Sequence, residues 1–144
     1  MQPTIRLPER IATFKSPYHF LSNSWPLQSG LIWESEIFPT VEHAYRWTSM
    51  ATPEGRIAVM GRENPVFAKL AAADHPVRED WIFIKDEVML ELLRLKFQDR
   101  YLCDWLLATG RSELVEDTRI EEEGLGKLLT QIRNELRIAK NMTT

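Results

Sequence analysis

The stretch LIWESEIFPTVEHAYRW, residues 31–47, changes character at its centre. Up to Phe38 it is rich in bulky residues that favour extended backbone. Pro39 then blocks any backward extension of a helix, and Thr40 stands where a helix N-cap belongs. From Val41 onward the composition is helical, with Glu42 in the first turn and Arg46 four residues later. Strand-like material therefore lies before this point and helix after it.

Upstream, IATF (residues 11–14) and WPL (residues 25–27) extend the strand-like region. Gln28-Ser29-Gly30 reads as a hairpin turn, with glycine at the position that needs a special backbone conformation. Downstream, Asn64-Pro65 signals a helix start, cap then proline. The longest helix is predicted over Glu79–Phe97, with Trp81, Ile84, Val88, Leu92 and Leu95 on one buried face. A shorter helix ends at Gly110, and ELVED (residues 113–117) reads as a brief strand. In the last helix Leu125, Leu128, Leu129, Ile132 and Leu136 form an amphipathic stripe. No repeat or linker interrupts the chain. The expected fold class is α+β: one domain over residues 1–144, in which several helices pack a small antiparallel sheet. The sheet comes from residues 11–39 and the LVED segment, and helices begin near Val41, Pro65, Glu79 and Leu125.

The 144 residues suit one domain. With 44% hydrophobic and 27% charged residues, a packed core is expected rather than disorder. A net charge of −3 argues against broad neutralisation of duplex phosphates, while leaving room for a local basic pocket. Cys103 is the only cysteine, which excludes an internal disulfide and a thiolate metal cluster. No apolar run reaches the ~18 residues of a membrane span, and no signal-peptide core is present. A cytoplasmic protein without a membrane partner is expected.

His19, His43 and His75 are scattered, so no metal site and no cofactor are expected. His43 reads as packed or capping, and Cys103 as a small core thiol rather than a nucleophile. Glu42 has two readings. As structure, it favours the helix dipole and pairs with Arg46, together contributing about 0.5–1 kcal/mol. As chemistry, it is a carboxylate at a helix start beside aromatic residues. Trp81 is likewise a core aromatic or a stacking platform, and Asn23 a turn residue or a ligand contact.

The order of several pieces bears on that choice. FLSN (residues 20–23), PTVEHAY (39–45), VREDWIFIKDEVM (77–89), LKF (95–97), LLATG (106–110), LVEDT (114–118) and LGKLLTQIRNEL (125–136) follow one another in register. In this the chain resembles the NADAR (YbiA-like) family from about Phe14 to Arg137. The resemblance implies a compact α+β fold and N-glycosidase chemistry. The family's substrates are phosphorylated ribosylamine intermediates of riboflavin synthesis and, in some members, ADP-ribosylated guanine in nucleic acid. Carried over by position, Glu42 is the catalytic carboxylate and Trp81 the pocket tryptophan, with Ser22 and Asn23 in the N-terminal substrate-binding loop. Arg78, Lys85 and Arg46 are the expected phosphate contacts. Cleaving a C–N bond at an anomeric carbon builds oxocarbenium character, which a carboxylate stabilises while an indole stacks on the leaving base.

The chain also departs from the family pattern. Arg46 and Ser49 stand where glutamine and lysine are usual, and Ala72-Ala73 where a glycine-arginine pair is usual. The tryptophan-glycine loop before the last helix is missing, and Glu123 replaces the asparagine preceding leucine-glycine. Asp117, Glu121, Glu122 and Glu123 are the acidic residues available to substitute. The expected activity is hydrolysis of an N-ribosyl or ADP-ribosyl linkage in a small phosphorylated ligand or in ADP-ribosylated nucleic acid. The alternative is a non-catalytic relative that binds a nucleotide-like ligand or a protein partner. A purely structural helical protein is the third reading.

Overall fold

In the computed structural model, residues 6–142 are described. The chain separates into two compact units: residues 23–96 form one, and the segments up to residue 22 and from residue 97 form the other.

The central unit begins with β2 (Leu31–Trp33) and β3 (Glu36–Phe38), which follow the short β1 (Arg10–Ile11) of the other unit. β2 and β3 form an antiparallel hairpin with Leu31 opposite Phe38, Ile32 opposite Ile37 and Trp33 opposite Glu36. The reversal therefore falls inside ESE and not at Gln28-Ser29-Gly30 as expected. Glu34 and Ser35 hold the two central turn positions at φ 49° and 67°. Leu31 and Phe38 are both buried, and only a turn between them puts both side chains on the inner face. The Gln28-Ser29-Gly30 turn is real, with Gly30 at φ 72° and its N–H donated to the Leu27 carbonyl. It leads the chain into β2 without joining two strands.

Four helices follow: α1 (Val41–Ser49), α2 (Pro53–Met60), α3 (Pro65–Ala73) and α4 (Trp81–Lys96). Thr40 caps α1 through its hydroxyl, which accepts the His43 N–H at 3.1 Å. Asn64 caps α3 in the same way by accepting the Val66 N–H at 2.8 Å. α2 was not anticipated as a separate helix; Thr52 caps it and Pro53 opens it. α1 packs on α2, α3 and α4, and Met50, Val59, Ala68 and Ala72 form a buried cluster beside Trp47.

α4 begins two residues later than expected because the Asp80 carbonyl accepts the N–H groups of both Phe83 and Ile84. Its inner face also differs. Met89, Leu90, Leu92, Leu93 and Lys96 are buried, while Trp81, Ile84, Val88 and Leu95 are half-buried. A single helical stripe was the wrong template, since the helix's C-terminal half is covered more widely than its start.

In the second unit β1 pairs with β4 (Glu113–Leu114) in parallel, Arg10 opposite Glu113 and Ile11 opposite Leu114. Of the expected ELVED strand only Glu113–Leu114 is extended into a ladder, and it belongs to a separate parallel pair and not to the antiparallel hairpin. α5 (Arg100–Ala108) and α6 (Leu125–Met142) complete this unit. Gly110 follows α5 at φ 61°, the left-handed closure expected there. On α6, Leu125, Leu129 and Ile132 are buried, and Leu128 and Leu136 are half-buried. Cys103 is half-buried where a core thiol was expected; burial pushes its thiol up, and Asp104 adds to the effect.

A carboxylate fixes the start of α6. Glu116 accepts the N–H of Gly124 at 2.6 Å and of Gly126 at 2.9 Å, one oxygen to each. This satisfies helix-start donors from a residue outside the helix and opposes the positive end of its dipole. Gly126 is required by close approach: a Cβ there would lie 2.1 Å from the Leu114 carbonyl oxygen.

Candidate functional site

Glu42 sits at the second position of α1, and its residue is only 5% exposed. Two neighbours satisfy the first turn. The Glu42 N–H donates to the Asn23 carbonyl at 3.0 Å, and the His43 N–H goes to Thr40. Asn23 itself is fully buried. Asn23 and the carboxylate-bearing turn are therefore joined through backbone.

The Glu42 carboxylate is not left bare. Arg46 Nε donates to its Oε1 at 2.8 Å, with 18% of the Arg46 side chain and 7% of the Glu42 side chain exposed. The same guanidinium lies 5.3 Å from the centre of the Tyr45 ring. Tyr45 in turn meets Trp81 at 4.9 Å between ring centres, tilted by 58°. Direct contacts thus link Asn23, Glu42, Arg46, Tyr45 and Trp81 within one unit. Tyr45 was not singled out from sequence, although it lies three residues after Glu42, on the same helical face.

His43 takes a structural role. Its Nε2 is 2.7 Å from the Arg62 carbonyl, which can only accept, so the proton resides on Nε2. Nδ1 lies within hydrogen-bond distance of the Thr40 hydroxyl, at 2.8 Å. The ring is buried, and it ties the segment between α2 and α3 to α1.

The other expected cations differ in their engagement. Arg78 grips Asp80 through Nε at 2.6 Å and Nη2 at 3.0 Å. Those bonds hold the Asp80 carboxyl below its ordinary value and, with Glu34 nearby, hold Arg78 above its own. Lys85 lies one turn beyond Trp81 on α4, half-buried, with no hydrogen bond or ion pair among the described residues.

Ser22 lies in the other unit, where its hydroxyl donates to the buried Glu121 carboxylate. The remaining acidic candidates are placed differently: Asp117 is paired with Arg119, Glu122 is half-buried and Glu123 is exposed. Glu116, the cap of α6, was missed because its partners lie eight and ten residues away. Among the described residues no three His, Cys, Asp or Glu side chains form a group able to hold a metal ion.

The N-glycosidase YbiA of Escherichia coli (strain K12) is 30% identical to this chain over 131 residues, covering 81% of this chain and 79% of the relative. The chain belongs to the YbiA N-glycosidase family. The YbiA of Shigella flexneri serotype 5b is 29% identical over 121 residues, 74% of this chain and 76% of its own length. The fold agrees: the NMR structure of E. coli YbiA superposes with a TM-score of 0.75 at 28% identity, covering 94% of this chain and 89% of that one. No family model matches the chain. The α+β class expected from sequence is thus the fold of the YbiA family. No helix among the described residues is long and apolar enough to cross a membrane.

Proposed function

We propose that this YbiA family member hydrolyses the N-glycosidic bond of a phosphorylated ribosyl or ADP-ribosyl ligand, of the riboflavin-pathway ribosylamine phosphate or ADP-ribosylated guanine type. The observation that carries the reading is Glu42: a carboxylate buried at a helix start, tied by its backbone to Asn23 and joined through Arg46 and Tyr45 to Trp81. Burial of that kind strengthens its interaction with charge developing on a sugar.

In the proposed step, water forms a bond to the anomeric carbon while the C–N bond breaks. The bonding electrons leave with the base, which takes up a proton, and the attacking water loses one. Glu42 stabilises the oxocarbenium and orients or deprotonates the water. Trp81, braced by Tyr45, stacks on the departing base. Asn23 positions the Glu42 turn, and the cations Arg46, Arg78 and Lys85 serve the phosphate.

A second reading has its own support. The Arg46 pair neutralises Glu42 at rest, and the loop before α6 is short, as in a relative that binds its ligand without turning it over. Incubation with ADP-ribosylated guanosine and with the ribosylamine phosphate, followed by mass spectrometry, separates the two. Released base or sugar phosphate supports the hydrolase. Binding without release supports the non-catalytic relative.

A further inference from the structure

We propose that the outer face of α3 is a self-association surface, through which two copies of this chain pair antiparallel about Leu70. The proposal does not rest on the role assigned to Glu42, and its test reads mass rather than turnover.

α3 is apolar on both sides. Within its sequence PVFAKLAAA the one charged residue is Lys69, which is half-buried. Ala68 and Ala72 face inward and are buried in a cluster with Met50 and Val59. Helical periodicity then points Leu70 away from that pair, with Val66 and Phe67 one turn before it and Ala73 and Asp74 one turn after. Val66, Phe67 and Leu70 are 51%, 54% and 58% exposed. A helix that is apolar all round belongs in an interior, so the outer face of α3 calls for a cover.

Area, shape and charge all favour a second copy as that cover. α2, packed on α3, also exposes Ile57 and Met60. The five side chains leave roughly 500 Å² of apolar surface open, at the upper range for a monomer. A symmetric pair covers roughly 1,000 Å² in total, the size at which an association becomes specific. The face is also complementary to itself, with large residues at the start of the helix and alanines at its end. With two α3 helices antiparallel about Leu70, Val66 meets Ala73 of the second copy and Phe67 lies over its Ala71, each contact occurring twice. Asp74 comes beside the N-terminus of the other α3, where its charge favours the helix dipole. The exposed Ile82 and Phe83 of α4 lack this property. Glu79, Asp86 and Glu87 lie one turn from Phe83, and a second copy there would bring carboxylates together.

Sedimentation equilibrium of the full chain tests the pairing. Wild type should sediment at twice the chain's mass at micromolar concentrations. Leu70→Glu and Leu70→Lys should each be monomeric, because at the axis every introduced charge faces its own copy. An equimolar mixture of the two variants should restore the dimer, since opposite charges then meet. Circular dichroism confirms that both are folded. If either is not, Leu70→Cys in a Cys103→Ser background carries the test: mild oxidation should link two copies across the axis, and absence of that link would overturn the proposal. Wild type that stays monomeric would overturn it as well, and flotation of that monomer with phospholipid vesicles would give the face to a membrane surface instead. A dimer that survives both charged variants would lie on another face and contradict the proposal. Monomeric variants that fail to pair on mixing would remove Leu70 from the axis and with it the antiparallel arrangement.

Discussion

The carbonyl of Asn23 accepts the backbone N–H of Glu42 at 3.0 Å, so a loop residue serves as cap for the helix turn that carries the carboxylate. A side-chain cap would tie one side chain to the helix; this bond ties the backbone at Asn23 to it.

The hairpin turn is improvable. Glu34 and Ser35 both adopt left-handed backbone, which costs a non-glycine residue about 1 kcal/mol each. Replacing the pair with Asn-Gly, the sequence that suits this turn, should raise stability by about 1 kcal/mol. Urea titration measures it; no gain, or a loss, would mean that contacts of Glu34 outweigh the strain.

That turn also marks where the sequence stops being legible. Thr40, Asn64-Pro65, Gly110 and the α6 stripe act through neighbours within a few residues, so their patterns can be read directly. The ESE reversal carries no turn signature; it is imposed by the burial of Leu31 and Phe38. The parallel pairing of Ile11 with Leu114 joins segments far apart in sequence, and no local pattern encodes that. At the site, Glu42, Asn23 and Trp81 could be nominated by family resemblance. Tyr45 as the brace between Arg46 and Trp81 required three dimensions. The pairing of Arg46 with Glu42 followed from their four-residue spacing, whereas its near-complete burial did not.

Glu116 and Gly126 should govern the stability of α6. Glu116→Ala removes the acceptor for two helix-start N–H groups and should cost about 1–2 kcal/mol. Gly126→Ala drives a methyl into the Leu114 carbonyl and should cost about 2 kcal/mol or more. Chemical denaturation checks both; a neutral Gly126→Ala would show that the β4–α6 contact is looser than described.

Cys103 should be a slow nucleophile. With its thiol pushed above the ordinary cysteine value, it holds less thiolate at a given pH than a free cysteine. Alkylation by iodoacetamide at pH 8, followed by mass spectrometry, should run slower than for glutathione. A faster reaction would contradict the desolvation of this thiol.

Trp81→Ala should weaken base recognition without stopping chemistry. Loss of one aromatic–base stack is worth about 1–3 kcal/mol, so KM should rise roughly tenfold or more while kcat changes less. An unchanged KM would remove Trp81 from the substrate and return it to the packing of Tyr45.

The central claim is that Glu42 performs the chemistry, and Glu42→Gln tests it most directly. The exchange keeps size and shape and removes the charge that faces the developing oxocarbenium. With wild type shown to cleave an N-ribosyl substrate by mass spectrometry, the variant should remain folded, still bind ligand, and turn over at least about a hundredfold more slowly. Equal turnover by Glu42→Gln and wild type would contradict the role assigned to this carboxylate and leave it as the ion-pair partner of Arg46 at the start of α1.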